Sequence, residues 1–334
     1  MICQEVFPVD FSCYPYYNVY TRYNTETQRT YLQINYRTSY MLSDSHKKLL
    51  KDHFAVPLRY YQLKGRAESI IDKTRYKSVE SLIRTLQSEG IVKPVLLASR
   101  NGKDITLYSS QSVKKLSPYE LAQAMFPDGY FCNLSAIYYH SLTNQVPSTV
   151  YICHETISAQ PKTHTSKLNS NALRSAFIKP HRYTNYVFNV NQHEVVVVDR
   201  LKGSAYGVIK SHVLKAVLPE HSNVTCIERA LIDAVVSPHY NGGIVSVYAA
   251  FKNAHKMISA SKLIEIYKQL EFIYPYSQSI GFLLERAGMP KHATVLFKEF
   301  PPAQVFFIDH DAKSSWSYDA KWKLYYPVGL VDEN

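Results

Sequence analysis

The residues with the plainest chemistry are cations set among small hydroxyls: Lys73, Arg75, Lys77, Ser78, Ser81, Arg84, Ser88, Lys93, Arg100 and Lys103. Lysine and arginine neutralise phosphates, which supplies most of the sequence-independent affinity for duplex DNA. Arginine can also donate two hydrogen bonds to one guanine edge in the major groove. The charge is concentrated where these residues stand. Residues 45–117 carry fifteen basic and six acidic side chains, and so hold +9 of the formal +11. Residues 1–44 carry three and four, and residues 118–334 carry twenty and seventeen. A solvated basic face is the bland reading of such a cluster, so the elements that position the cations matter.

Ser43-Asp44-Ser45 supplies N-cap residues ahead of a helix over 46–54, with Leu49, Leu50 and Phe54 on one side. A short second helix is predicted over 66–72, and Lys73 to Tyr76 form a basic turn. The clearest helix runs from Ser78 to Glu89, where Val79, Leu82, Ile83 and Leu86 recur at helical spacing before Gly90. The opposite face, Lys77, Ser81, Arg84 and Ser88, is slim enough to enter a major groove. Two strand-like runs, 94–100 and 103–108, then flank Asn101-Gly102, the pair favoured in a type I′ hairpin. Arg100 and Lys103 would stand at its tip, within reach of phosphates. Three helices and a basic hairpin predict a winged helix-turn-helix over 45–116. Winged helices also serve as protein-binding modules, but the charge favours double-stranded DNA, read as a promoter inverted repeat by a homodimer.

The rest of the chain predicts an α+β protein: a winged helix-turn-helix followed by a larger mixed α/β domain over 117–334. Residues 1–44 form a short tyrosine-rich β extension, with a strand around Tyr31 to Tyr36. Strands near 149–153, 186–190 and 194–198 alternate with helices near 118–126, 133–142, 225–236, 245–254 and 261–270. The polar stretch 160–175 reads as a loop. With 46% hydrophobic and 19% charged residues the chain is globular, not disordered.

Three stretches of this larger domain resemble the AbiEi-type antitoxins of type IV toxin-antitoxin systems. Residues 133–147, with His140-Ser141-Leu142-Thr143 and Gln145-Val146-Pro147, are similar to the family's helix ending in His-x-Leu-Thr and its Gln-x-Pro. Glu228-Arg229-Ala230-Leu231-Ile232-Asp233, then Gly242-Gly243, resembles its Glu-Arg-Thr-Leu-x-Asp helix and Gly-Gly turn. Ile280-Gly281-Phe282-Leu283-Leu284-Glu285 resembles its Leu-Gly-Tyr-Leu-Leu-Glu helix. Ala230 departs from the family's threonine, and the first 44 residues lie outside the pattern. The resemblance implies a winged helix that represses its own promoter. It also implies a domain that counteracts a nucleotidyltransferase-like toxin, in which direct contact with the toxin is not required.

Physically, these stretches have structural duties first. Glu228 and Arg229 can cap or pair, Asp233 can anchor the turn before Pro238, Gly242-Gly243 permits unusual backbone angles, and His140 at a helix end reads as a hydrogen-bonded structural residue. Catalytic signals are missing: there is no Walker A loop, GxGxxG, HExxH or GxSxG, so no enzyme and no cofactor is expected. Cys153-His154-Glu155 and Asp309-His310-Asp311 gather metal ligands in sequence only, because neighbours on a strand face opposite ways. A diverged nuclease-like effector is the alternative, with Glu194 and Asp199 as its carboxylates. The five cysteines, at 3, 13, 132, 153 and 226, have no finger or CxxC spacing, which fits a reducing compartment. Neither a basic, apolar export signal nor a bilayer-length apolar run is present, so a cytoplasmic protein without a membrane partner is expected.

Overall fold

The structure, a computed structural model, describes residues 20–22, 31–33, 43–74, 76–156, 170–211, 217–310 and 316–331. Arg75, Cys3, Cys13, most of the tyrosine-rich extension and most of the polar loop lie outside them. By its internal contacts the chain divides into two units. The first takes residues 1–95 and 108–112, and the second takes 96–107 and 113–334. This division runs through the segment 45–116, whose hairpin tip clusters with the second unit.

In the first unit β1 (Tyr20–Arg22) pairs antiparallel with β2 (Tyr31–Gln33), Thr21 opposite Leu32. Helix α1 (Asp44–His53) starts where the Ser43 side chain accepts from the His46 N–H, and Lys51 and His53 suit the negative end of its dipole. Leu50 and Phe54, four apart, turn inward. Leu49 does not follow them and is 48% exposed, because it lies about 100° around the helix from Leu50. Helix α2 (Tyr60–Ile71) begins six residues before the predicted start at 66, with the Gln62 side chain accepting from the Arg59 N–H. It buries Leu63 and Ala67.

Between α1 and α2 the chain is extended at Leu58. Leu58 exchanges both backbone hydrogen bonds with Tyr108, at 2.9 and 2.8 Å. Helix α3 (Val79–Ser88) buries Leu82, Ile83 and Leu86 against Phe54, Leu58, Leu63 and Ala67. Gly90, at φ +64°, ends it, and the Ile91 N–H returns to the Leu86 carbonyl.

Strands β3 (Lys93–Leu97) and β4 (Ile105–Ser109) form the expected hairpin. Its connection is not the expected type I′ turn. Only Gly102 takes a positive φ, at +76°, and its N–H closes a turn onto the Ser99 carbonyl at 3.2 Å. Asn101 serves instead as an acceptor for the Ser99 hydroxyl and the Lys103 N–H, while Asp104 takes the Ser99 N–H. Side-chain hydrogen bonds therefore hold a longer loop between the strands.

The second unit opens with α4 (Pro118–Met125), started by a reciprocal cap between Ser117 and Glu120. There follow β5 (Tyr130–Phe131), α5 (Asn133–Tyr139), β6 (Thr149–Thr156) and α6 (Ser170–Phe177). Helix α6 occupies the end of the predicted loop because Leu173 and Phe177, four apart, are both buried. Next come β7 (Val187–Val190), β8 (His193–Leu201), β9 (Val208–Lys210), β10 (Asn223–Thr225), α7 (Ile227–Val236), α8 (Ile244–Asn253), α9 (Ala260–Gln269), α10 (Tyr276–Arg286) and α11 (Pro290–Glu299). The chain closes with β11 (Phe306–Phe307), β12 (Trp316–Asp319) and β13 (Leu324–Pro327), a small sheet in the order β11-β13-β12.

Six strands form one mixed sheet in the order β7-β8-β6-β5-β10-β9. β6 and β8 run parallel with Val150 opposite Val195, and the valine run is buried at Val195 and Val197 because β8 sits inside the sheet. Helix α7, buried from Glu228 to Val235, packs against α5, α8, α9 and α10. The protein is thus α+β, with helices and a short hairpin first, then a mixed sheet with helices. No helix among the described residues is long and apolar enough to cross a membrane.

Candidate nucleic-acid interface

The outer face of α3 is set by what its inner face buries. With Leu82, Ile83 and Leu86 in the core, Lys77, Glu80, Arg84, Gln87 and Ser88 are exposed. Arg84 lies along the helix, its Nε 3.4 Å from the Glu80 carbonyl. Lys64 on α2 reaches the Glu80 carboxylate at 3.3 Å. That carboxyl is held below its usual range, chiefly by the backbone N–H of its own residue and then by Lys64. Lys64 thereby offsets the one acidic charge on the face. Gln87, which carries no charge or periodicity signal in the sequence, is exposed one turn beyond Arg84, and its paired donor and acceptor suit an adenine edge.

Two of the hydroxyls among the candidate DNA-contact residues serve the helix instead. Ser78 and Ser81 form a reciprocal N-cap: the Ser81 N–H donates to the Ser78 hydroxyl at 3.2 Å, and the Ser81 hydroxyl donates to the Ser78 carbonyl at 2.6 Å. The Ser81 hydroxyl thus spends its donor on the cap, and the Ser78 hydroxyl serves the cap as an acceptor. The Ser88 hydroxyl likewise donates to the Thr85 carbonyl. Lys73, after α2, and Lys93, opening β3, are exposed, as are Lys48 and Lys51 on α1.

The hairpin tip departs most from expectation. The Arg100 N–H donates to the Val187 carbonyl at 2.9 Å, and Ser99 forms an antiparallel bridge with Phe188. The Arg100 guanidinium pairs with Glu194 and lies 3.5 Å from Asn189. Lys103 stands 5.6 Å from the centre of the Tyr186 ring. Both cations assigned to phosphate thus lie against β7 and β8 within the second unit. The cause is that β7 ends its sheet: its open backbone edge accepts the tip as further pairing.

The conspicuous charges of the second unit are structural. Arg229, fully buried, donates from Nε to Asp233 at 3.0 Å and from Nη1 to the carbonyls of Ser204 and Tyr206. Arg200 reaches the same carboxylate at 2.9 Å, and this charge raises its pKa. The Asp233 side chain therefore anchors two arginines rather than the turn expected of it, where only its backbone carbonyl takes part, accepting from the Ser237 N–H. Glu228 accepts from the Ser259 N–H and pairs with Lys262 at 3.1 Å. His140 meets the Thr225 carbonyl at 2.7 Å, as expected of a structural histidine. Gly242 and Gly243 take φ of +78° and +87°.

Cys132, Cys153 and Cys226 are free and buried. Burial pushes the Cys153 thiol up to about 11, and Cys132 and Cys226 also upward, which suits inert core thiols. Glu194 and Asp199 do not converge: Glu194 pairs with Arg100, and Asp199 lies 3.6 Å from His154. No group of three or more metal-ligating side chains among the described residues is placed to hold a metal. A groove of about 570 Å³ lies beside Tyr248, Glu285, Arg286 and Lys321. Its charges are paired, Lys321 with Glu285 at 2.6 Å and Arg286 with Asp319 at 3.2 Å.

One histidine cluster has a measurable consequence. The His181 ring stacks on His239 at 4.1 Å and meets His310 at 4.4 Å, while its Nε2 contacts Asp309 at 2.5 Å. Burial, then the neighbouring His181, lowers His239 to about 4. Burial also lowers His310. The unfolded chain therefore takes up protons that the folded chain refuses, and stability falls as pH drops from about 6.5 towards 4. Allowing for partial exposure, the expected loss from His239 is on the order of 1–2 kcal/mol. Urea unfolding at pH 7 and pH 5 should show it, and His239→Phe should shrink the difference. An equal loss in that variant would remove His239 as the cause.

Comparisons with known proteins name no family. No family model matches the chain, and no curated protein matches its sequence. Among solved structures it is similar to the RV2827C protein from Mycobacterium tuberculosis, at 13% identity and a TM-score of 0.47, over 83% of this chain and 88% of that one. A likeness of that size carries no argument about what this chain does.

Proposed function

We propose that this chain binds double-stranded DNA through a winged helix-turn-helix and acts as a repressor of its own promoter. One observation carries the reading: α3 turns Arg84 and Gln87 outward, with Lys77 exposed just ahead of its N-cap, while its other side is core. The element order supports it, because the extended Leu58 between α1 and α2 pairs with the last hairpin strand as the first strand of a winged helix does. The charge of residues 45–117 supplies the phosphate affinity. The resemblance of the 133–147, 226–243 and 280–285 stretches to AbiEi-type antitoxins supports a narrower role. The operator is then an inverted repeat bound by a homodimer, and the larger domain counteracts a nucleotidyltransferase-like toxin.

Gel-shift titration with the duplex upstream of the protein's own reading frame tests this. Lys77→Ala should weaken binding to all duplexes alike and flatten the salt dependence by about one charge. Unchanged affinity and slope would remove Lys77, and with it this face, from the interface.

A further inference from the structure

We propose that Arg100 is a phosphate contact held in reserve: Glu194 occupies its guanidinium, and a DNA phosphate displaces Glu194 when duplex is bound. The proposal rests on the DNA-binding reading and adds a control to it. The tip residues 96–107 cluster with the second unit, where Arg100 meets Glu194, Asn189 and the backbone of Val187. Three features favour an exchangeable pair over a fixed brace. First, the side chains are 51% and 41% exposed, and ion pairs in such surroundings contribute little and break readily. Second, a guanidinium presents the same forked donors to a carboxylate and to a phosphate, so one can replace the other without remodelling Arg100. Third, the loop shape is fixed by its own hydrogen bonds, which Asn101 and Asp104 accept from Ser99 and Lys103, so the tip does not need Glu194 to keep its conformation. The buried Arg229, by contrast, has two carbonyls and a carboxylate and nothing to exchange with.

The consequence is a negatively charged competitor built into the chain. While Glu194 is in place it lowers the number of cations available to the duplex by one. Anything that draws Glu194 away, including a partner bound at β8, raises DNA affinity.

The test is equilibrium binding of the full chain to a random-sequence duplex over a series of salt concentrations. Glu194→Gln should bind about three- to tenfold more tightly with its log-log salt slope kept, because Arg100 reaches a phosphate in both complexes and only the wild type must first give up Glu194. Adding Arg100→Ala to that variant should abolish the gain. Asn189→Asp, at an exposed position beside Arg100, should act the other way and weaken binding. If wild type fails to bind while Glu194→Gln binds, the proposal stands in its strongest form. If wild type binds and Glu194→Gln matches it in affinity, the reserve contact is wrong although the DNA reading survives. If neither binds duplex at any salt, both fall together. Should Glu194→Gln melt early, Asn189→Asp decides alone: no weakening would overturn the proposal.

Discussion

Asp233→Ala should lower the stability of the second unit by about 3–5 kcal/mol, the usual cost of removing one partner from a buried ion pair. Asp233 and Arg229 are both fully buried, and Arg200 also reaches the carboxylate. Without Asp233 the fully buried Arg229 and the mostly buried Arg200 lose their counter-charge, and α7 is the helix against which α5, α8, α9 and α10 pack. Arg229→Ala should cost a comparable amount for another reason: the carbonyls of Ser204 and Tyr206 lose their donor while Arg200 still holds Asp233. Both tryptophans, Trp316 and Trp322, belong to the second unit, so fluorescence in urea reports on it. A loss below about 1 kcal/mol in Asp233→Ala would mean that the pair is solvated and not buried.

Gly281→Ala should destabilise the same unit by about 3 kcal/mol or prevent folding, at the upper end of what overpacking usually costs. Helix propensity alone argues the opposite sign, because alanine is favoured over glycine in a helix by about 1 kcal/mol. Sterics decide. A Cβ on Gly281 would lie 2.1 Å from Trp322 Cη2 and 2.2 Å from Cζ3. The indole cannot retreat: it is fully buried, its Nε1 donates to Glu285 at 2.7 Å, and its backbone N–H donates to Asp319. Gly65 in α2 makes a matched control, since a Cβ there meets nothing within 4 Å. Gly65→Ala should therefore follow propensity and stabilise. If Gly281→Ala were neutral, the contact between α10 and Trp322 would be looser than described.

How far the sequence disclosed this arrangement varied with the range of the interactions. Helix α3 was legible because its signals are local: Ser78 at the cap, Val79, Leu82, Ile83 and Leu86 on one face, Gly90 at the stop. The hairpin was legible from its two apolar runs, but its turn was not, because Asn101 and Asp104 could satisfy neighbouring donors in a way composition does not reveal. The early start of α2 was hidden by Tyr60-Tyr61-Gln62 and Gly65, which carry no apolar periodicity. A single extended residue, Leu58, gave no strand pattern at all.

The site residues follow the same rule. Ser81 and Arg84 looked equivalent on a helical face, yet a hydroxyl three residues from the N-cap is captured by the cap, whereas a long guanidinium is not. Arg100 meets Glu194 across 94 residues of sequence, a pairing no local pattern can signal. Arg229 and Asp233 stand at the i, i+4 spacing of an ordinary surface pair, and only the helices packed on α7 make them buried.

Whether the outer face of α3 reads a duplex is decided by one titration: wild type and Arg84→Ala against the upstream duplex and against copies of it carrying single base-pair changes. If Arg84 contacts a base edge, wild type should discriminate against changes at one position in each half-site by about 1–3 kcal/mol, and Arg84→Ala should lose that discrimination there and nowhere else. If the two proteins rank all the duplexes identically, α3 does not lie in the groove.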